Sequence, residues 1–328
     1  MKILKPICAP VAYDKAAEAF QSLYAQVTGR QLEIVTESAA EEDLIVIGAD
    51  DVQPYCAHAQ MCGILPRFSM RYGTDDYCIT SVHDDVRNLL FLAGGRGRST
   101  LYAVYDFFER RAGCHYFWDG DVIGRQEQVD ITGLAISEHP RFDYRGLRYF
   151  AHRGLHRFQA EHWGLADWQR EIDWMVKRRL NVFMLRIGMD DLYQRAFPDQ
   201  VPYPPAVGRL PEATAEGYDD RTLFWPLEYR GLLRKKLLRY AFDRDLMHPE
   251  DSGTMTHWYS RTPHAFLESE KPTFLGQTTA GYSDQTGLVW DIREKRNLDH
   301  YLRLTDAHVE AYGKPEIFHT IGLAERMV

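Results

Sequence analysis

The chain has 328 residues, 45% of them hydrophobic and 26% charged, a globular balance that excludes a fibre or a low-complexity tail and suffices for one large domain or two ordinary ones. A net charge of -8 argues against nucleic acid, whose binding rests on Lys and Arg at phosphates. No apolar run approaches the ~20 residues of a membrane span, and Lys5 and Pro6 interrupt the apolar start before a signal-peptide core forms, so a cytoplasmic location is expected.

In chain order, Ala17, Phe20, Leu23, Tyr24 and Val27 recur at helical spacing and predict a helix with Asp14 as N-cap and Gly29 as its stop. Leu32 to Val35 alternates like a strand edge, and Leu44 to Gly48 is a continuous apolar run of the buried-strand kind. Two further strands are expected around Tyr77 to Thr80 and Asn88 to Leu92, then a helix from Leu101 to Arg111 closed by Gly113. Between them lies Gly94-Gly95-Arg96-Gly97-Arg98-Ser99-Thr100. Such a loop can cradle phosphate on helix N-terminal amides, but it lacks the P-loop ending and the dinucleotide glycine spacing. A tight strand-to-helix turn is the expected role. Cys8, Cys56, Cys62, Cys78 and Cys114 show no metal-ligand or redox spacing and read as buried thiols. His115 to Gly120 reads as a short strand and turn, and Ser137 to Pro140 as a connector, which puts a domain boundary near Pro140.

From Phe142 onward, strands alternate with long helices, the grammar of a parallel sheet with helical crossovers. Strands are expected at Tyr144 to Phe150, Val182 to Ile187, near Gly253 to Tyr259, and at Ile317 to Leu323. Helices are expected at Trp168 to Arg179, Leu232 to Phe242 and Asn297 to Ala311, with Arg234, Lys235, Lys236 and Arg239 forming a solvated basic face. These are about four strand-helix steps, whereas a closed eight-stranded barrel takes ~250 residues. The expected architecture is therefore α/β: a small α+β domain over residues 1–140, then the first half of a (β/α)8 TIM-type barrel over 141–328, in a chain read as a fragment.

In such a barrel, chemistry collects where strands end. His152, Arg153 and His156 follow the first strand, Asp190 and Asp191 the second, His257, Trp258 and Tyr259 the third, and Glu325 the fourth. Beside Leu323 and Ala324, Glu325 has the setting of a general acid, desolvation raising its pKa; an ion pair with Arg326 or a neighbouring Arg is the other reading. Asp190 and Asp191 either enter the same pocket or serve as acids at a helix N-terminus. His152 and His156, with Glu161 and His162 nearby, have metal-ligand chemistry, but Gly154 intervenes and no helical pattern gives them a shared face. No metal and no cofactor is expected.

Gly97 to Glu109, followed by Gly113-Cys114-His115-Tyr116-Phe117, resembles the small α+β domain that precedes the barrel in α-N-acetylglucosaminidases, α-glucuronidases and β-hexosaminidases. Trp168 to Met175, then Asn181, then Asp191-Leu192-Tyr193-Gln194-Arg195, resembles the start of the α-N-acetylglucosaminidase barrel, glycoside hydrolase family 89. The resemblance implies a retaining mechanism with two glutamates. Glu325 falls at the position of the acid/base, where the family usually has Asn-Glu-Met and this chain has Ala324-Glu325-Arg326-Met327. His152 stands where the family uses an Asn to bind sugar.

The second glutamate would fall beyond Val328. A retaining enzyme needs its two carboxyl groups about 5 to 5.5 Å apart, so little or no activity is expected of these residues alone. The expectation is thus a glycosidase acting on terminal α-linked N-acetylglucosamine or a related sugar, with His152, Asp190, His257 and Trp258 contacting it. Two alternatives are an α-glucuronidase, for which Arg153 or Arg186 would bind the sugar carboxylate, and a non-catalytic carbohydrate-binding protein. Carbohydrate is the expected partner in all three; the oligomeric state is left open.

Overall fold

The structure is a computed structural model that describes residues 1–38, 41–68, 75–149, 163–185, 191–203, 227–250, 263–273 and 290–318. The chain forms two compact units, the first comprising residues 1–146, 169–182 and 240–246, the second 147–168, 183–239 and 247–328.

In the first unit, β1 (Lys2–Leu4), α1 (Val11–Thr28), β2 (Ile34–Val35), β3 (Leu44–Gly48), α2 (Pro54–Met61), β4 (Tyr77–His83), β5 (Asn88–Gly94) and α3 (Gly97–Ala112) follow in order, then the hairpin β6 (His115–Phe117) and β7 (Gly120–Val122), and β8 (Ala135–Glu138). Six strands make one sheet in the order β2-β1-β3-β5-β4-β8. β1, β2, β3 and β5 run parallel, and β4 is antiparallel to both its neighbours. β3 is buried along its whole length, as its unbroken apolar run requires of a central strand covered on both faces. Leu44 and Val46 join Leu89 and Phe91 of β5 and Cys56 and Ala59 of α2 in one cluster. Alternation turns Ile45, Ile47, Leu90 and Leu92 to the opposite face, where α1 and α3 meet β3 and β5. Phe20 of α1 packs on Phe107 and Phe108 of α3 at 5.5 and 5.0 Å between ring centres.

Several sequence expectations shift here. α1 begins at Val11 after Pro10 and not at Asp14, because Pro fixes a backbone angle suited to the start of a helix; Asp14 instead takes an ion pair from Lys5 at 2.6 Å. α3 starts at Gly97, a turn before Leu101. Ser137 and Glu138 are strand residues of β8 and not a connector, since β4 needs a partner along its second edge. Of the five thiols, which are all free, Cys8 and Cys62 are exposed. β1 and α2 had no sequence signal: the first has three residues, and the second has little amphipathic contrast.

After β8 the chain continues through four strands and five helices among the described residues, with residues 169–177 of the first of these helices belonging to the first unit. β9 (Gly146–Tyr149) pairs with β10 (Val182–Leu185), Phe183 N–H donates to Met247 C=O at 2.8 Å, and β11 (Pro249–Glu250) runs parallel to β12 (Ile317–Phe318). Between them stand α4 (Leu165–Lys177), α5 (Leu192–Ala196), α6 (Leu227–Phe242), α7 (His264–Glu270) and α8 (Lys295–Tyr312). Trp168, Ile172, Met175 and Val176 of α4 are buried, the stripe their spacing demands. Tyr193, Phe197, Phe266 and Trp290 form an aromatic core, the last two stacked 5.3 Å apart. The basic face of α6 is not wholly solvated: Lys235, Lys236 and Arg239 are exposed, but Arg234 is buried with Arg230. Among the described residues, no helix is long and apolar enough to cross a membrane.

Candidate functional site

Glu325, His152, Asp190, His257 and Trp258 lie outside the described residues, as do Arg153, His156, Glu161, His162 and Arg186. The described strands that lead to them are β9 before His152, β10 before Asp190, β11 before His257 and Trp258, and β12 before Glu325. What the structure describes is a framework of buried polar contacts within each unit.

In the second unit that framework is a buried polar cluster centred on Asp191. One carboxylate oxygen accepts from Arg195 Nε at 2.7 Å and the Tyr203 hydroxyl at 2.8 Å, and the other from the Tyr312 hydroxyl at 2.9 Å. Asp191 itself is inaccessible to solvent. Burial, and after it the Asp191 charge, raises both phenols well above their ordinary range, so they remain donors. A carboxylate that accepts from three converging donors pins the segments that carry them. Asp191 stands at the start of α5, and its donors tie that helix to Tyr203 and to Tyr312 of α8. The sequence reading did not pair Asp191 with Arg195, although their spacing of four residues is that of a helical pair, and Tyr203 and Tyr312 come from distant segments that left no signal.

Beside it, Arg234 Nη2 donates to His308 Nε2 at 3.2 Å and its guanidinium stands 5.1 Å over the Tyr312 ring. His248, the residue before β11, stacks on His308 with ring centres 6.2 Å apart. Burial first, then Arg234, lowers His248 to about 3 and His308 to about 2, so both imidazoles are neutral at physiological pH. Neither can serve as a proton donor there.

The glycine-rich loop of the first unit is a packing device. Arg98 is fully buried; its Nε donates to Asp75 Oδ1 at 2.6 Å and its Nη1 to Asp245 C=O at 2.8 Å. The other Asp75 oxygen accepts from Asn181 Nδ2 at 2.8 Å and from Arg145, and Asn181 Oδ1 accepts from the Arg145 amide at 2.7 Å. A Cβ on Gly94 would stand 2.3 Å from Ser99 Oγ, and one on Gly97 would stand 2.6 Å from the Ala12 Cβ, so glycine lets α3 start hard against β5 and α1. The Arg98 guanidinium is thus committed to protein carboxylate and carbonyl, which supports the turn and not a phosphate cradle. Asn181 has the same structural office. Among the described residues, no group of three or more His, Cys, Asp or Glu is placed to hold a metal ion.

No protein-family model matches the sequence. The chain is 23% identical to human α-N-acetylglucosaminidase over 104 residues, which are 32% of this chain and 14% of that protein. In fold it is similar to a family 89 glycoside hydrolase from Clostridium perfringens in complex with PUGNAc, with TM-score 0.58 and 14% identity over 94% of this chain and 32% of that one. An N-acetyl-β-hexosaminidase from Streptomyces plicatus in complex with Thio-NAglucal gives TM-score 0.56 and 13% identity over 97% of this chain and 54% of that one. The chain spans about a third of the length of the first structure and about half of the second. Mixed α/β layers with a parallel-strand sheet are thus the architecture it shares with glycoside hydrolases. In sequence over the 104-residue match, and in fold over 94% of its length, the chain is similar to the α-N-acetylglucosaminidases, glycoside hydrolase family 89.

Proposed function

We propose that these residues form the small N-terminal domain (1–140) and the first half of a (β/α)8 catalytic barrel (141–328) of a retaining glycoside hydrolase acting on terminal α-linked N-acetylglucosamine or a related sugar. Glu325 is the general acid/base; His152, Asp190, His257 and Trp258 contact the sugar. The observation that carries the reading is the agreement of two likenesses, the sequence match to an α-N-acetylglucosaminidase and the fold match to a family 89 enzyme. The succession of β9, β10, β11 and β12, each leading to a proposed site residue, supports the half-barrel.

The test is to express the longest polypeptide encoded with this chain and assay aryl α-N-acetylglucosaminide beside aryl α-glucuronide. Cleavage of the first substrate is expected, with kcat reduced ~10²- to 10⁴-fold in Glu325→Gln. Unchanged turnover in that variant removes the acid/base assignment, and cleavage of the glucuronide alone moves the protein to the α-glucuronidases.

A further inference from the structure

The first unit holds a groove of about 270 Å³ between α1, α3 and α4 that none of the proposed hydrolytic residues lines. Its size lies just under the ~300 to 1,000 Å³ of drug-sized pockets, the scale of one sugar ring. Six charged side chains surround it in three ion pairs: Lys15 with Glu18 at 2.7 Å, Arg244 with Asp173 at 2.7 Å, and Lys177 with Asp121. The groove is therefore neutral overall, which disfavours a phosphate, a carboxylate or a cation as ligand. Each pair instead sets a donor beside an acceptor, the arrangement that two neighbouring hydroxyls of one ring engage together.

Two further features sharpen the chemistry. Asp173 is locked in place by Arg244 and by the Tyr240 hydroxyl, at 2.9 and 3.0 Å from its two oxygens. Tyr105 lines the groove with a hydroxyl that makes no hydrogen bond among the described residues, while its ring is held edge-on to Tyr116 at 5.4 Å. Ala19, Leu23 and Leu101 supply an apolar wall for the C–H face of a ring.

We propose that this groove is a binding site for a neutral saccharide unit, held through its hydroxyls by Tyr105, Asp173 and Arg244. It rests on the groove alone and does not depend on the hydrolase reading. The test uses the full chain and N-acetylglucosamine and glucose as probes, with saturation-transfer NMR titration and inorganic phosphate as comparison. Saturable sugar binding with a Kd of order ~1 mM is expected. In a Trp258→Ala background, which removes a contact proposed for the hydrolytic cleft, it should weaken ~3- to 10-fold in Tyr105→Phe, the worth of one hydrogen bond, and vanish in Ala19→Trp, which plugs the groove and leaves all three ion pairs. Trp258→Ala should leave it intact. Cooperative thermal melting of each variant establishes that it folds. Absence of sugar binding overturns the proposal, as does phosphate binding in its place. Sugar binding that survives Ala19→Trp but is lost in Trp258→Ala also overturns it, while leaving the hydrolase reading standing.

Discussion

Gly231 of α6 lies so close to Asp191 that a Cβ on it would stand 2.2 Å from the carboxylate oxygen Oδ2. The same oxygen accepts from Arg195 and Tyr203, so it cannot retreat without losing them. A missing side chain on one helix thus makes room for the buried charge that ties α5 to α8.

Gly231→Ala is accordingly expected to destabilise the protein by about 1–3 kcal/mol, the usual cost of overpacking a tight site. Urea unfolding measures it. In an Asp191→Ala background the same change should cost markedly less, because the clashing atom is gone; full additivity of the two changes would show that the contact is not the cause.

The Arg98–Asp75 pair, both side chains at 0% exposure, gives a second expectation. Removing one partner leaves the other charge buried, so Asp75→Asn should cost ~3–5 kcal/mol. Replacing both, as Asp75→Leu with Arg98→Met, should cost less than the sum of the two single changes, although Asn181 and Arg145 lose their acceptor. A double variant as unstable as the sum of its parts would contradict this account.

Stability should fall with acid in a window set by His248 and His308. In the folded chain their pKa values lie at about 3 and about 2, through burial and the facing Arg234, whereas unfolded histidine takes up its proton near ~6.5. Below that pH the unfolded state binds more protons, so stability is full above ~6.5 and declines as pH falls toward 3. His308→Gln should flatten the dependence of the urea midpoint on pH across this interval. An unaltered slope would remove His308 from the cause.

Thiol chemistry should separate two classes. Burial raises the Cys56 thiol well above its ordinary range, Cys78 to about 11 and Cys114 upward as well, while Cys8 and Cys62 are exposed. In the native protein a thiol reagent should modify Cys8 and Cys62 rapidly and the other three only on unfolding. Fast native labelling of Cys56, read by mass spectrometry, would contradict the packing of α2 on the sheet.

Much of the framework was legible in the sequence because it follows from local repetition. The apolar run Leu44 to Gly48 specifies a strand covered on both faces, and the spacing of Trp168, Ile172, Met175 and Val176 specifies one side of a helix. The pairing order of the sheet, the strand β8 and the short β1 were not legible, since a strand of three or four residues gains its stability from neighbours far away in sequence. The candidate catalytic residues rest on the sequence and its resemblance, for they lie outside the described residues.

By itself the sequence determined where chain turns and which faces are apolar, because both depend on side chains a few positions apart. It also placed Arg98, Asn181 and Asp191 in stretches that resemble glycoside hydrolases, without showing their partners. Only the tertiary structure decided their work. A buried charge is tolerable only where its partners converge on it, and the partners here, Asp75 for Arg98 and Asn181, and Tyr203 and Tyr312 for Asp191, arrive from segments that no local spacing connects.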